Sequence, residues 1–109
     1  MAAPPGLVTE TDDFVSRALE VVGSIPLGFV MTYGDVAAAM GSRAARAVGQ
    51  VMSHYGSDVA WWRVVRASGH PAVHHENQAL EHYRAEGTPL RWSRDGMFRV
   101  NLAVARFTP

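Results

Sequence analysis

The chain has 109 residues, 48% of them apolar, and a formal net charge of +0. This length and composition suit one domain with a single core, and zero net charge means that any contact with nucleic acid must come from a local basic patch. The absence of cysteine excludes disulfides, thiolate catalysis and most structural zinc sites. The chain has no apolar run of about 20 residues and no signal peptide, so we expect a cytoplasmic protein without membrane contact.

The amino-terminal part of the chain predicts a tail followed by a helix. Residues 1–12 include prolines and a glycine and are predicted to form a flexible tail before a domain that spans residues 13–109. Threonine and aspartate precede an apolar stripe, which predicts a helix from about Asp13 to Val22 that ends at Gly23. The predicted buried stripe consists of Phe14, Ala18, Leu19 and Val22.

The next segment predicts a helix-turn-helix. Thr32 suits a helix N-cap, apolar residues recur at helical spacing after it, and Gly41 ends this first helix. A second helix is predicted to begin near Arg43. Two short helices joined by a glycine-containing turn form a helix-turn-helix, in which the second helix is usually the one laid against DNA. The apolar positions are Val36, Ala37 and Met40 in the first helix, and Ala44, Ala45, Val48, Val51 and Met52 in the second.

Charge placement in this segment is compatible with DNA binding. From Val36 to Ser57 there is no Asp or Glu, whereas the same window contains Arg43, Arg46 and His54. Alanines and a glycine surround Arg46, so the helix backbone can approach a surface closely while one planar guanidinium reaches into a groove. The alternative is a small-residue face packed on another helix, with two solvated arginines. Spacing alone leaves both interpretations open.

The carboxyl-terminal half predicts a helix and a hairpin. Residues 61–65 are short and apolar, and are predicted to form a buried strand or loop. Residues 76–86 have helical periodicity, and residues 90–102 alternate around a turn that contains Asp95. A helix-turn-helix followed by a hairpin indicates a single winged helix-turn-helix domain, mainly α with a small β-hairpin.

Three motifs together resemble the O6-alkylguanine-DNA alkyltransferases: IPxGxVxTYGxxA, AARAVGxxM and RVVxxxG. Those enzymes carry a reactive cysteine in a Pro-Cys-His-Arg-Val sequence, whose matching residues here are Ala60, Trp61, Trp62, Arg63 and Val64. Trp61 therefore stands at the cysteine position. This pattern is similar to the alkyltransferase-like proteins, which keep the DNA-binding domain but lack the acceptor thiol.

The resemblance also implies residues that contact DNA. Tyr33 matches the family tyrosine that pushes on the phosphate 3′ of the target nucleotide, and Arg46 matches the arginine that fills the gap in the duplex. Met52 falls where the family has a pocket-lining residue, and His74 falls where alkyltransferase-like proteins can carry a lesion-discriminating arginine. The expected DNA-binding residues are Tyr33, Arg43, Ala45, Arg46 and Gly49, and the expected lesion pocket consists of Tyr33, Met52, Trp61, Val64 and His74.

Trp61 determines the chemistry that we expect. Indole is a poor nucleophile, so the alkyl-transfer step has no acceptor at this position, whereas the flat ring offers a surface on which a purine can stack. The alternative is that Trp61 is a core residue. We expect no metal and no cofactor, because the spacing of the histidines His70, His74, His75 and His82 fits no strong metal-site signature.

The resemblance therefore predicts a non-enzymatic sensor of O6-alkylguanine. Such a protein binds duplex DNA through the minor groove, flips the damaged base into its pocket and hands the lesion to nucleotide excision repair. Its partners would be the alkylated duplex and repair proteins, and we expect a monomer. An alternative from a different class is a sequence-specific winged-helix regulator without a lesion pocket, and an enzyme that uses another nucleophile is a third.

Overall fold

The computed structural model describes residues 10–109, with side chains from residue 13 onward. The predicted fold class, a mainly α winged helix-turn-helix with a small hairpin, is confirmed within this range. Most of the predicted tail, residues 1–9, lies outside the described residues. Short 3₁₀ turns follow α3 at Gly56–Asp58 and Trp61–Arg63. The other elements are α1 (Glu10–Gly23), β1 (Met31–Thr32), α2 (Tyr33–Ala39), α3 (Ala45–Tyr55), β2 (Val64–Val65), α4 (Glu76–Glu86), β3 (Leu90–Trp92), β4 (Phe98–Val100) and α5 (Leu102–Ala105).

The helix-turn-helix consists of α2 and α3, and it packs against α1. The predicted cap at Thr32 is confirmed, because its Oγ1 accepts a hydrogen bond from the Asp35 amide at 3.0 Å. The Asp35 carboxylate accepts the Thr32 amide hydrogen bond at 3.1 Å in return, so α2 begins with a capping box. Arg106 also donates to Asp35 from Nε at 2.9 Å, and this hydrogen bond holds the pKa of Asp35 below its usual range.

Two predicted helix starts need correction. The first helix begins at Glu10, ahead of the predicted Asp13, so the last residues assigned to the tail are helical. Helix α3 begins at Ala45, not near Arg43. The reason is local: the Ser42 hydroxyl accepts a hydrogen bond from the Ala44 amide at 3.0 Å, and this turn keeps Arg43 outside the helix.

A short parallel pairing joins the helix-turn-helix to the segment around residue 61. Strand β1 pairs with β2, with Met31 opposite Val64 and Thr32 opposite Val65. Both valines are fully buried. The predicted strand or loop at residues 61–65 is therefore a 3₁₀ turn that leads into a two-residue strand, and the pairing sets its position beside α2.

The wing is the predicted hairpin, and α4 supports it. Strand β3 pairs antiparallel with β4, and α4 spans its predicted range. Gly87 ends α4 in the left-handed conformation (φ 70°), which glycine adopts without steric cost. Gly69 has a φ of 91°, and a Cβ at this position would lie 2.6 Å from the Val100 carbonyl oxygen, so only glycine lets this loop approach β4. The buried residues under the wing are Val30, Val65, Ala79, Tyr83, Phe98, Val100 and Ala105.

A largely buried ion pair ties α4 to the turn at residues 61–63. The Glu86 Oε1 atom accepts hydrogen bonds from Arg63 Nη2 at 2.6 Å and from Trp62 Nε1 at 2.9 Å. Its Oε2 atom accepts the Gly28 amide hydrogen bond at 3.2 Å. Burial raises the pKa of Glu86, but the bonds from Arg63, Trp62 and Gly28 outweigh that effect and leave the pKa below its usual value. This network fixes where the turn that carries Trp61 can lie.

We expect Glu86→Gln to lower the free energy of unfolding by about 3 kcal/mol near neutral pH, because a mostly buried guanidinium loses its charged partner. The side chains of Arg63 and Glu86 are only 18% and 8% exposed. Since folding lowers the pKa of Glu86 from its usual 4.5, the carboxylate stabilises the protein above that pH and loses this effect as the pH falls through the folded-state value. Urea unfolding at several pH values should therefore show wild type and variant converging in acid.

Glu81→Gln is the matched control, because Glu81 lies exposed on the same helix and forms no ion pair within the described residues. We expect it to change the free energy of unfolding by less than about 0.5 kcal/mol. Equal losses from Glu81→Gln and Glu86→Gln would contradict a structural role for the network.

Candidate nucleic-acid interface

A cavity of about 390 Å³ opens between α3, the turn at residues 61–63 and the loop before α4. Helix α3 contributes Gly49, Met52 and Ser53, which share one face because they lie three and four residues apart. Tyr33 and Trp61 form further parts of the wall. The structure thus brings together four predicted site residues, namely Tyr33, Gly49, Met52 and Trp61.

Trp61 is half-buried, and other aromatic rings surround it. Its ring centroid lies 5.8 Å from Trp62, edge to face, and 5.6 Å from His75. Trp62 is held in turn by Glu86 and by a parallel stack on His82 at 3.6 Å. The second indole is therefore fixed in place by the structure, whereas Trp61 presents part of its surface to the cavity.

Tyr33 is the first residue of α2 and lies half-buried at the cavity wall. Burial raises the pKa of its phenol, against a weaker opposing effect from the charge of Arg66. The hydroxyl is consequently neutral near pH 7 and can donate a hydrogen bond. The capping box of α2 fixes the backbone at this position.

Of the two predicted arginines, Arg46 lies on α3 and Arg43 lies in the turn before it. Arg46 is exposed on the first turn of α3 and lies three residues before Gly49, so it shares the helix face that continues into the cavity. Ala45, the first residue of α3, is partly buried beside it. Arg43 is exposed in the turn before the helix. Within the described residues neither arginine takes part in an ion pair.

The structure does not bring Val64 and His74 into the cavity, and both expectations need correction. Val64 is fully buried and belongs to the core beneath the helix-turn-helix, because its pairing with Met31 turns the segment inward. His74 is exposed and has a φ of 71°, and its amide donates to Glu76 at 3.2 Å. The chain turns at this residue, so that the neighbouring His75 lines the cavity instead.

Sequence reasoning missed four polar residues of the cavity wall, namely Ser53, Ser57, His75 and Gln78. His75 Nδ1 lies 3.2 Å from Gln78 Oε1, so the two side chains hold each other at the mouth of the cavity. Ser53 could have been found from its spacing, because it lies four residues after Gly49. His75 and Gln78 depend on how the loop meets α4, which no local pattern reveals.

Residues 10–109 contain neither a cluster of metal-ligating side chains nor a membrane-spanning helix. In this range no three side chains of His, Asp or Glu come together in a way that could hold a metal ion. None of the helices described there is long and apolar enough to cross a membrane.

Comparisons with known proteins identify the family to which this chain belongs. Residues 13–87 match the family model described as the DNA-binding domain of 6-O-methylguanine DNA methyltransferase. A DNA base-flipping protein of Escherichia coli (strain K12) is 44% identical over 77 residues, which cover 63% of this chain and 60% of that relative. The chain therefore spans about 60% of the length of that relative. Alkyltransferase-like protein 1 of Schizosaccharomyces pombe is 30% identical over 105 residues, covering 90% of this chain and 97% of the relative.

Solved structures show the same similarity. S. pombe Atl1 in complex with damaged DNA containing O6-carboxymethylguanine superposes with a TM-score of 0.79, at 30% identity and with 90% of this chain and 97% of that chain covered. A second structure, of S. pombe ATL in complex with DNA, has a TM-score of 0.78 at the same coverage. The chain belongs to the 6-O-methylguanine DNA methyltransferase DNA-binding-domain family and, with Trp61 at the position of the acceptor cysteine, groups with its alkyltransferase-like proteins.

Proposed function

We propose that this protein is a non-enzymatic sensor that binds O6-alkylguanine in duplex DNA and flips the damaged base out of the helix. The observation that carries the proposal is the cavity with Trp61 in its wall, next to helix α3, on which Arg46 is exposed three residues before the cavity-lining Gly49. Its volume of about 390 Å³ falls within the range of about 300–1,000 Å³ that is usual for small-molecule sites. A relative named for base flipping and a similar chain bound to damaged DNA support this proposal.

The residues around the cavity supply stacking and hydrogen bonds but no activated nucleophile. The indole of Trp61 has only an N–H donor, and the chain contains no cysteine. Ser53 and Ser57 would need a base within hydrogen-bond reach. In the described part of the chain the hydroxyls of Ser53 and Ser57 form no hydrogen bond with a histidine or a carboxylate, and the Nδ1 atoms of His54 and His75 lie against Gln50 and Gln78.

In the proposed binding cycle, each group of residues around the site has its own role. Arg46 enters the duplex and occupies the space that the extruded base leaves, while Tyr33 contacts the adjacent phosphate. The purine then stacks on Trp61, and His75 and Gln78 face its polar edge. Because alkylation weakens pairing, the damaged guanine is easier to extrude than a normal one, and this difference provides part of the selectivity.

Without a covalent step the product of recognition is the complex itself. We propose that the complex marks the lesion for proteins of nucleotide excision repair, and that the protein acts as a cytoplasmic monomer without metal or cofactor. Residues 13–109 remain the proposed alkyltransferase-like domain, with α1 extending back to Glu10.

The test is a competition binding experiment with two duplexes that differ only by one O6-methyl group. We expect tighter binding to the alkylated duplex and, by mass spectrometry, no increase in the mass of the protein after incubation. A preference for base sequence irrespective of the methyl group would instead indicate a winged-helix regulator. Stable methylation of the protein would rule out a non-enzymatic sensor.

We expect Trp61→Ala to weaken binding of the alkylated duplex by roughly 5- to 150-fold, corresponding to the loss of about 1–3 kcal/mol of base stacking. The part of this loss that comes from contact with the alkyl group should also lower the preference for alkylated over normal duplex. Trp62→Ala is the contrasting variant, because Trp62 donates to Glu86 and stacks on His82. It should lower thermal stability, whereas Trp61→Ala should leave the fold and non-specific binding largely intact. Affinities for both duplexes and thermal unfolding are measured on each variant. Clear destabilisation by Trp61→Ala with unchanged lesion preference would make Trp61 a core residue.

We expect Arg46→Ala to weaken binding to alkylated duplex more than Arg43→Ala does. Arg46 lies on the helix face that leads into the cavity, whereas Arg43 lies in the turn before α3 and is expected to contact phosphate or solvent. Loss of a phosphate contact acts almost equally on all sequences and mainly changes the salt dependence of binding. Titrations at several salt concentrations distinguish the two roles. The same loss of affinity and the same change in salt slope for both variants would exclude insertion of Arg46.

A further inference from the structure

The outward face of the wing carries two arginines that lie directly opposite each other. Arg91 of β3 pairs with Arg99 of β4, and both side chains are exposed. Their neighbours along the strands alternate to the other face, where Val100 and Phe98 are buried. Arg94 in the connecting turn is also exposed, so that three guanidinium groups stand on this small hairpin.

This arrangement is unfavourable in the free protein. Like charges directly opposite each other on neighbouring strands destabilise a hairpin. Within the described residues none of the three arginines forms an ion pair. The only acid of the hairpin, Asp95, has its carboxylate engaged by the Ser93 hydroxyl and, at 3.2 Å, by the Met97 amide. Within the described residues Asp95 forms no ion pair with these arginines, and the hairpin keeps a net charge of +2, from three arginines and one aspartate, although the whole chain has a formal net charge of +0.

We propose that the outward face of the wing, formed by Arg91, Arg94 and Arg99, binds the sugar-phosphate backbone of the DNA arm that flanks the flipped base. This inference rests on the proposed function, since it concerns the same duplex. A row of phosphates carries repeated negative charge. It would attract both Arg91 and Arg99 and so offset the repulsion between them.

The position of the wing makes such a contact possible. Gln78 lines the cavity, and Arg84, six residues later on α4, lies over the Trp92 ring at 6.0 Å. Six helical residues span about 9 Å, and a three-residue strand adds about 10 Å. At about 3.4 Å of axial rise per base pair, the wing is therefore within about six base pairs of the cavity. Within the hairpin Trp92 packs on Phe98 at 5.5 Å, and the ring of Phe98 lies 6.2 Å from that of Tyr83 on α4, which holds the hairpin against the core.

The chemistry of this face favours nucleic acid over a protein partner. Protein interfaces usually have an apolar centre surrounded by polar residues. Here the residues at the centre of the outward face are Arg91 and Arg99, while Phe98 and Val100 are buried on the opposite side. Guanidinium groups without an apolar centre suit phosphate oxygens, which they bind through paired hydrogen bonds.

The test compares a double variant, Arg91→Gln with Arg99→Gln, with the charge-retaining control Arg91→Lys with Arg99→Lys. Binding is measured at several salt concentrations on a duplex that carries one O6-methylguanine and arms of about 12 base pairs, and on the matching unmodified duplex. Each lost phosphate contact removes about 0.9 from the slope of log K against log salt, so the glutamine variant should have a slope shallower by about 1.8. Its affinity should fall several-fold for both duplexes equally, while the lysine control keeps the wild-type slope.

On a series of hairpin-closed duplexes with arms shortened from about 12 to about four base pairs, the difference between the glutamine variant and wild type should disappear once the arm no longer reaches the wing. Thermal unfolding should show no loss of stability, because the substitution removes a repulsion.

If the double variant does not fold, Arg91→Gln alone should change the slope by about 0.9. An unchanged slope on the long duplex would overturn the proposal and leave an acidic protein surface as the partner. Failure of the proposed lesion-sensor function would give a different result, namely equal binding of the wild-type protein to the modified and unmodified duplexes.

Discussion

The carboxylate of Glu86 is the group on which the geometry of the site depends. It joins α4 to Arg63 and Trp62, the two residues after Trp61, and it also binds the Gly28 amide before β1. Removing two charged groups from water is costly, and the cost is offset only where the hydrogen bonds are as complete as they are here. The network therefore favours one arrangement of the turn, and this arrangement leaves the ring of Trp61 at the cavity.

The parallel pairing of β1 and β2 gives the network its second anchor. Thr32 caps α2 on one side and pairs with Val65 on the other, so the helix-turn-helix and the turn at residues 61–63 are positioned by the same short strand. Helix α3, packed on α2, then brings Gly49 and Met52 to the opposite wall of the cavity. Helix α3 and the cavity wall that contains Trp61 are thus positioned by the same contacts, as the proposed extrusion and capture of a base would require.

The features that sequence predicted correctly are local ones. The Thr32 cap, the helix at residues 76–86 and the wing around Asp95 each depend on residues within a few positions of one another. What could not be predicted depends on distant partners. The two-residue strands are too short for any periodic pattern, and Glu86 meets Arg63 across 23 positions of sequence. The exchange of His74 for His75 in the cavity arises from a left-handed turn that a one-dimensional alignment does not contain.

Replacing a nucleophile by an indole changes what limits recognition. A covalent acceptor makes each capture irreversible, so that even brief flipping of a damaged base accumulates product. With Trp61 in that position binding is reversible, and the preference for damaged over normal duplex depends only on the difference between their binding free energies. Stacking contributes about 1–3 kcal/mol per base, and since normal guanine also stacks, much of this term does not discriminate. Selectivity must therefore come from the lower cost of extruding the alkylated base and from contacts to the alkyl group, whereas the lifetime of the complex must come from contacts that are indifferent to the lesion. Arginines outside the pocket, on α3 and on the wing, are the residues of this chain suited to that second role.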